Sequence, residues 1–212
     1  MIVILDYGMG NLRSVHKALE KMGFQAVITQ DPTELRKAAG LVVPGVGAYG
    51  KAMENLRQLR LVKPISEFIE SGKPFLGICL GLQLLFSGSE EFGFQKGLSL
   101  LKGRVVRFPF SPGGESSSKN LLKVPHMGWN AVHIQKRSFA LDGIADEAYF
   151  YFVHSYYPIP EEQEMVATTT DYGGEFVSSI SLGNLFACQF HPEKSQSLGL
   201  KILKNFGDLV YR

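Results

Sequence analysis

The sequence predicts an α/β fold, in which a mostly parallel central sheet is flanked by helices and carries an antiparallel β addition in its second half. Two observations predict it. In the first half, short β-branched runs alternate with helical patterns, which is typical of right-handed βαβ units. In the second half, strand-like runs follow one another with few helices between them. With 212 residues, 45% of them apolar, the chain can bury a full core, and we expect one domain over residues 1–212.

The elements of the first half follow from hydrophobic spacing and from residues that begin or end helices. Apolar residues recur at helical spacing in a first helix, which Gly23 ends. Pro32 stands at the first position of a second helix, where a missing N–H costs nothing. A longer helical region over residues 48–71 is expected to break near Pro64. The predicted strands are residues 2–5, 26–29, 41–43 and 74–78, the last of which continues into a helix over residues 80–86.

The second half is predicted to be mostly antiparallel. Gly183-Asn184 favours a tight hairpin, because glycine accepts a positive φ. A final helix over residues 195–210 presents a regular apolar face, and the polar residues 111–118 are expected to form a mobile loop that a protease cuts first. The predicted strands are residues 104–108, 130–134, 148–153, 165–170, 176–181 and 185–190.

Composition and charge exclude several kinds of partner. The 22 basic and 20 acidic side chains nearly cancel, so the sequence does not indicate a nucleic-acid binder. The N-terminal residues lack the pattern of a signal peptide, and no apolar run reaches the ~18 residues that cross a membrane, so we expect a cytoplasmic protein that binds no membrane. Five histidines and two cysteines without clustered spacing predict no metal and no cofactor.

Gly77-Ile78-Cys79-Leu80-Gly81 has the strand–nucleophile–helix arrangement of a nucleophile elbow, with cysteine in place of serine. Glycine is needed on both sides, because the sharp turn brings neighbouring backbone close. The helix start favours a thiolate at Cys79, and the N–H of Leu80 is a first oxyanion donor. The N–H of Val46 or Gly47, in a turn after the third strand, is a candidate for the second. The alternative is a structural cysteine between two incidental glycines.

His191-Pro192-Glu193 is the candidate partner of that cysteine. Alternation along the preceding strand directs Cys188 into the core with two phenylalanines, and directs Gln189 and His191 to the other face. Pro192 keeps the backbone of His191 extended, so Glu193 can orient an imidazole that acts as general base to the nucleophile. A plain surface turn is the alternative. His126 and His154 remain second choices for the base, because neither has an acidic residue at this spacing.

Three motifs carry a family resemblance. They are Pro44-Gly45-Val46-Gly47, Gly77-Ile78-Cys79-Leu80-Gly81-Leu82-Gln83 and His191-Pro192-Glu193, in that order. Together they resemble the class I (triad) glutamine amidotransferases. Two further segments are similar to those of glutaminase subunits of imidazole glycerol phosphate synthase, Asp6-Tyr7-Gly8-Met9-Gly10-Asn11 and Pro125-His126-Met127-Gly128-Trp129-Asn130.

The resemblance implies a glutaminase that forms a heterodimer with a (βα)8-barrel cyclase and supplies it with ammonia from L-glutamine for histidine biosynthesis. It implies Cys79 as nucleophile, His191 as base and Glu193 as the residue that orients the base. It further implies that glutamine is bound by Gln83, Glu91, Ser155 and Tyr156, and that the cyclase is contacted by Asn11, His126, Met127 and Trp129.

Other functions remain open at this point. The same scaffold serves amidotransferase subunits of pyridoxal phosphate or anthranilate synthesis and γ-glutamyl peptidases, but the segment around Trp129 argues against them. A non-catalytic regulatory subunit is a further alternative, and the complete Cys-His-Glu set argues against it.

Overall fold

The computed structural model describes residues 1–109 and 122–212. The elements of the first half are β1 (Ile2–Leu5), α1 (Leu12–Lys21), β2 (Ala26–Thr29), α2 (Pro32–Lys37), β3 (Gly40–Gly45), α3 (Tyr49–Gln58), α4 (Val62–Glu70), β4 (Phe75–Cys79), α5 (Leu80–Gln83), β5 (Phe86–Ser89), β6 (Gln95–Lys96) and β7 (Leu101–Arg107). The second half contains β8 (His126–Ile134), β9 (Ala148–His154), β10 (Tyr156–Pro160), β11 (Val166–Asp171), β12 (Glu175–Leu182), β13 (Leu185–Cys188) and α6 (Gln196–Val210).

Within the described residues, the larger sheet has nine strands in the order β2-β1-β3-β4-β13-β12-β11-β8-β9. The neighbours from β2 to β13 pair in parallel, and those from β13 to β9 pair antiparallel. The predicted architecture, a parallel sheet with an antiparallel addition from the second half, is therefore confirmed. The predicted hairpin at Gly183 is also confirmed: Leu182 pairs with Leu185, and φ of Gly183 is +56°.

A second sheet of four strands, in the order β10-β7-β5-β6, lies beside the larger one in the described part of the chain. In it β5 pairs with β7 in parallel, whereas β7 pairs with β10 antiparallel. Since β5 follows directly after α5, and β10 directly after β9, this small sheet builds one wall of the region around Cys79.

The helices cover both faces of the parallel strands. Val3 and Leu5 of β1 pack into the apolar cluster that contains residues of α2, α3 and α4. Ile2 and Ile4 point the other way, into a cluster with residues of α1 and α6. Because successive side chains of a strand point to opposite faces, a fully apolar β1 is what a sheet buried on both sides requires.

Two predicted helix boundaries were wrong. The break in the helical region lies at residues 59–61, where Arg60 has a positive φ, and not at Pro64. Pro64 instead lies in the first turn of α4, where its lack of an N–H removes no helical hydrogen bond.

The helix after Cys79 is a single turn that ends at Gln83, and the residues up to Phe86 were wrongly included in it. The carbonyl oxygens of Leu84 and Leu85 accept hydrogen bonds from the N–H groups of Leu98 and Leu100 at 2.9 and 3.0 Å. These long-range bonds take the acceptors that would continue the helix, and the chain enters β5 instead.

Among residues 1–109 and 122–212, the helices are too short and too polar for any of them to cross a membrane. The loop predicted at residues 111–118 lies outside the described residues.

Candidate active site

Cys79 ends β4 in a backbone conformation that few residues other than glycine adopt, with φ +54° and ψ −106°. The neighbouring glycines make room for it. A Cβ on Gly81 would collide with the carbonyl oxygen of Val43, and one on Gly77 would lie 2.9 Å from Cβ of Ala187. The predicted elbow is therefore present, and it holds the thiol of Cys79 above the carboxyl ends of the parallel strands.

The turn that was expected to supply the second oxyanion donor lies beside the thiol. Gly45, the last residue of β3, pairs in register with Cys79. Val46 and Gly47 follow it; Val46 is 39% exposed, and φ of Gly47 is +95°. A Cβ on Gly45 would collide with the hydroxyl of Tyr7, so only glycine lets the strand end approach this closely.

His191 and Glu193 form a buried ion pair. Nδ1 of His191 lies 2.8 Å from Oε1 of Glu193, and both side chains are almost fully buried. A single helical turn over Pro192–Lys194 folds the carboxylate back onto the ring, and the N–H of His191 donates to the carbonyl of Tyr151 at 2.9 Å. This burial excludes the alternative interpretation, a plain surface turn, because both side chains face the interior.

The pKa of His191 indicates that its imidazole interacts electrostatically with Cys79. Burial alone would lower the pKa of the imidazole, but the neighbouring Cys79 thiolate and the Glu193 carboxylate together raise it to about 10. Nε2 of His191 is buried and is the ring nitrogen that Glu193 does not occupy, so it is the atom left to interact with Cys79. The ring can therefore exchange a proton through Nε2 while Nδ1 stays fixed.

The other cysteine has no part in this arrangement. Cys188 is fully buried in the cluster that contains Phe186 and Phe190, as alternation predicted. Its sulphur lies 3.5 Å from the carbonyl oxygen of Phe190, and burial raises the pKa of its thiol well above the ordinary value. Cys188 is a core residue.

A cavity of about 690 Å³ opens directly in front of Cys79. It brings together eight of the residues predicted from the sequence: Val46, Gly47, Cys79, Leu80, Gln83, Glu91, Ser155 and Tyr156. Its wall also contains His154, a second choice for the base, and four residues that were not predicted as site residues: Phe92, Arg107, Pro125 and Val153. Arg107 lies on β7, opposite Tyr156 in register, and no local pattern marks it as a site residue.

Gln83 is held by two acceptors. Its Nε2 donates to the carbonyl of Tyr156 at 2.9 Å and to Oε1 of Gln189 at 3.0 Å. Gln189 is fully buried, and its own Nε2 lies 3.5 Å from Sγ of Cys79. Alternation predicted that Gln189 shares a face with His191, but no role was predicted for Gln189.

Glu91 binds the start of a helix. Its carboxylate accepts a hydrogen bond from the N–H of Tyr49, the first residue of α3, and its own N–H donates to Oγ of Ser89 at 3.2 Å. Since α3 begins two residues after Gly47, Glu91 connects the wall of the cavity to the oxyanion turn.

The two histidines that were second choices for the base form a separate neutral pair. Nδ1 of His126 lies 3.0 Å from Nε2 of His154, whose Nδ1 donates to the carbonyl of Tyr156 at 2.9 Å. Burial lowers the pKa of His126 to about 4 and that of His154 to about 3. In residues 1–109 and 122–212, no carboxylate is hydrogen-bonded to either ring, so neither resembles the His191 pair.

The residues predicted to contact the cyclase fall into two groups, one exposed and one buried. Met127 and Trp129 are 61% and 45% exposed on one face of β8, and Asn11 is exposed at the start of α1. His126, on the other face of β8, is only 3% exposed. Its inclusion among the contact residues conflicts with this burial, because the ring stacks on Phe152 inside the protein. Alternation along β8 accounts for the difference.

No group of three or more potential metal ligands occurs in residues 1–109 and 122–212.

Comparisons with known proteins agree with this geometry. The family "Glutamine amidotransferase class-I" matches residues 3–209. The imidazole glycerol phosphate synthase subunit HisH of Syntrophotalea carbinolica is 54% identical over 99% of this chain and 100% of its own length. The HisH subunit of Geobacter sulfurreducens is 52% identical over 98% of both chains, and that of Aquifex aeolicus is 53% identical over 96% of this chain and 94% of its own.

Solved structures share the fold at low sequence identity. A crystal structure of a glutamine amidotransferase superposes with a TM-score of 0.70 at 19% identity, covering 100% of both chains. The PurLQS structure from Thermotoga maritima gives 0.69 at 18% identity, covering 99% of this chain and 96% of that one. On the sequence matches, the chain belongs to the class-I glutamine amidotransferases, in the family of HisH subunits of imidazole glycerol phosphate synthase.

Proposed function

We propose that this chain is the glutaminase subunit of a cytoplasmic imidazole glycerol phosphate synthase, and that residues 1–212 act as one domain. It hydrolyses L-glutamine through a thioester on Cys79 and passes the ammonia to a cyclase subunit for histidine biosynthesis. The observation that carries the proposal is the strained elbow of Cys79, which opens into the cavity and interacts electrostatically with the buried His191–Glu193 pair.

The reaction follows from these groups. The Cys79 thiolate attacks the carboxamide carbon of glutamine, and the N–H groups of Leu80 and of Val46 or Gly47 stabilise the tetrahedral oxyanion. His191 donates its Nε2 proton to the departing ammonia. The same nitrogen then takes a proton from water, whose oxygen attacks the thioester and releases glutamate. Glu193 holds Nδ1 of the ring throughout.

The cavity has complementary charges for a free amino acid. Arg107 is the cationic side chain among the lining residues, and it suits the α-carboxylate of glutamine. Glu91 suits the α-ammonium group. The amide hydrogens of Gln83 are already donated to Tyr156 and Gln189, so its Oε1 is left to accept an N–H of the substrate. Ser155 and Tyr156 complete this wall.

The partner in this proposal is a (βα)8-barrel cyclase that covers the cavity. Ammonia released into water becomes ammonium, which has no lone pair for attack, so a sealed interface is needed. Met127 and Trp129 are exposed on β8, in the segment that starts beside Pro125 at the cavity wall, and they are the proposed contacts together with Asn11. Large exposed side chains of this kind often anchor protein interfaces.

The test is to assay glutamate release by the chain mixed with its cyclase, and to quench the reaction for mass spectrometry of the Cys79 peptide. A glutamyl adduct on Cys79 during turnover is the expected result. Glutamate release without any adduct, or an adduct on another residue, would contradict the thioester mechanism.

A further inference from the structure

A chain of two side-chain amides leads from the backbone of β10 to the sulphur of Cys79. Nε2 of Gln83 lies 2.9 Å from the carbonyl oxygen of Tyr156 and 3.0 Å from Oε1 of Gln189. Nε2 of Gln189 lies 3.5 Å from Sγ of Cys79. Gln189 is 0% exposed and Gln83 is 6% exposed, so water does not compete for these bonds.

The orientation of both amides is determined by one backbone group. A carbonyl oxygen can only accept, so the atom of Gln83 that meets Tyr156 must be its NH2 group. The second hydrogen of that NH2 needs an acceptor, and this fixes Oε1 of Gln189 toward Gln83. The NH2 group of Gln189 must then point to Cys79, as a donor to its sulphur.

The backbone holds Gln189 at this position independently of its side chain. β13 pairs in parallel with β4, with Cys188 opposite Ile78, so Gln189 follows beside Cys79. The N–H of Gln189 donates to the carbonyl of Ser178 at 2.8 Å. A donor on the neighbouring strand is therefore kept in place before any substrate arrives.

We propose that Gln189 is a positioning residue, whose amide donates a hydrogen bond that stabilises the thiolate of Cys79 and holds its sulphur toward the cavity. The inference rests on the proposed role of Cys79 as nucleophile. A hydrogen bond to an ionised acceptor is roughly twice as strong as one between neutral groups, so this donor favours the thiolate over the thiol. It also holds Gln83, whose free oxygen faces the substrate.

Other groups around Cys79 influence its charge as well, and the test must separate their effect from that of Gln189. His191, after β13, interacts with Cys79 by charge and by hydrogen bonding. Burial, and to a smaller extent the charge of Cys79, disfavour ionisation of Tyr7, and burial, Glu193 and Cys79, in that order, disfavour ionisation of Cys188. The remaining titratable and charged groups that line the cavity or act through His191 are Glu193, His154, Glu91, Arg107 and Tyr156. A substitution of Gln189 that keeps its volume leaves all of them in place.

The test measures the pH dependence of Cys79 alkylation by iodoacetamide in the full chain without glutamine, followed by mass spectrometry of the Cys79 peptide. Gln189→Met keeps the length of the side chain and removes the donor. We expect its alkylation midpoint to rise by about one pH unit, a tenfold loss of thiolate at a given pH. Gln163→Met is the matched control, because Gln163 is exposed and, among the described residues, its side chain bonds only the carbonyl of Pro160; its midpoint should match the wild type.

A second variant covers the case in which Gln189→Met does not fold. Gln83→Met removes the group that orients the Gln189 amide, and we expect a smaller shift of the midpoint in the same direction. Thermal unfolding identifies which variants are folded. An unchanged midpoint in a folded Gln189→Met, or in a folded Gln83→Met where the first variant fails, would overturn the proposal. If wild-type Cys79 itself reacts only near the ordinary thiol value of about 8.5, the proposed nucleophile is wrong, which is a different result.

Discussion

The thiol and the imidazole of the candidate site come from neighbouring strands of one parallel sheet, β4 and β13, which are far apart in the sequence. The elbow glycines and the His-Pro-Glu spacing predicted these two positions, because both patterns are local. The contact between Gln83 and Gln189 spans 106 positions and depends on strand register, so no local pattern indicated it. The burial of His126 does follow from a local pattern, because alternation along β8 puts it on the face opposite Met127 and Trp129.

The two cysteines should respond oppositely to substitution. We expect Cys79→Ser to lower glutaminase activity by at least about 10⁴-fold, because it removes the nucleophile of a triad that acts as a unit. Cys188→Ala is the matched control. It deletes a buried sulphur from the core and should cost about 1–2 kcal/mol of stability with nearly unchanged activity. Activity per folded molecule, with the unfolding free energy of each variant, checks this, and loss of activity in folded Cys188→Ala would contradict the assignment.

The neutral pair of His126 and His154 should make the protein sensitive to acid. Their pKa values lie at about 4 and about 3, below the ordinary 6.5, so between these values the unfolded chain binds more protons than the folded one. Stability is therefore lost as pH falls below about 6.5, at up to ~2.7 kcal/mol per pH unit for two groups. The raised pKa of His191 gives its contribution to stability the opposite pH dependence, so His191 adds nothing to this loss.

Urea unfolding between about pH 4.5 and 7 measures that slope. His126→Gln should reduce by about half the part of this slope that comes from the two histidines, since one of the two titrating groups is gone. His133→Gln, at a partly exposed position on the same strand, is the control and should keep the wild-type slope. The same slope in all three proteins would exclude the pair as the source.

At the level of elements, strands were predicted better than the helices that follow them. β1 and β2 were predicted to the residue, because short β-branched runs between turn residues have few alternatives. The helix after Cys79 was predicted too long, because its apolar residues fit a helix and a buried strand equally well. Whether these residues form a helix or a strand is decided by hydrogen bonds from the N–H groups of residues 98–101. Those residues lie too far along the sequence for a short stretch around Cys79 to include them.

The turn after β3 should act as a switch on the activity. Val46 is exposed and lies between Gly45 and Gly47, so the peptide before or after it can rotate at little steric cost. With its N–H turned away, the site has one oxyanion donor instead of two, which lowers kcat by about 10²–10³-fold. We expect the isolated chain to be nearly inactive and to gain this factor when the cyclase with its nucleotide ligand binds.

Glutamate production by the chain alone, with the cyclase, and with cyclase plus ligand measures the switch. Rates that increase in that order are expected. Equal rates in all three conditions would exclude the switch without affecting the assignment of Cys79, His191 and Glu193.

For the whole molecule, the fold class could be predicted because the two halves differ in pattern: alternation of strands and helices gives the parallel strands, and strands alone give the antiparallel ones. The separate four-stranded sheet could not be predicted, since β5 and β10 come from distant segments and meet only through β7. That sheet contributes Arg107 and the neighbourhood of Tyr156 to the cavity, which explains why this wall was the least complete part of the predicted site.

The exposed face of β8 should bind the partner. Trp129 is 45% exposed and makes an edge-to-face contact with Tyr151, so Trp129→Ala should change the melting temperature by only about 2 °C. We expect it to weaken cyclase binding by about 30-fold or more, as an interface anchor does. Leu182→Ala is the control: Leu182 is 52% exposed, in the hairpin at the end of the central strands that lies opposite Cys79. Calorimetric titration checks both, and equal affinities would remove Trp129 from the interface.

The most direct test traces the carboxamide nitrogen of glutamine into the imidazole product. The chain and its cyclase are supplied with glutamine labelled with ¹⁵N at the carboxamide, in an excess of unlabelled ammonium, and the imidazole product is weighed by mass spectrometry. If Cys79 releases ammonia into a sealed path to the cyclase, the product carries ¹⁵N in nearly every molecule, and Cys79→Ser yields only unlabelled product. A wild-type product with the isotopic composition of the bulk ammonium would contradict the account.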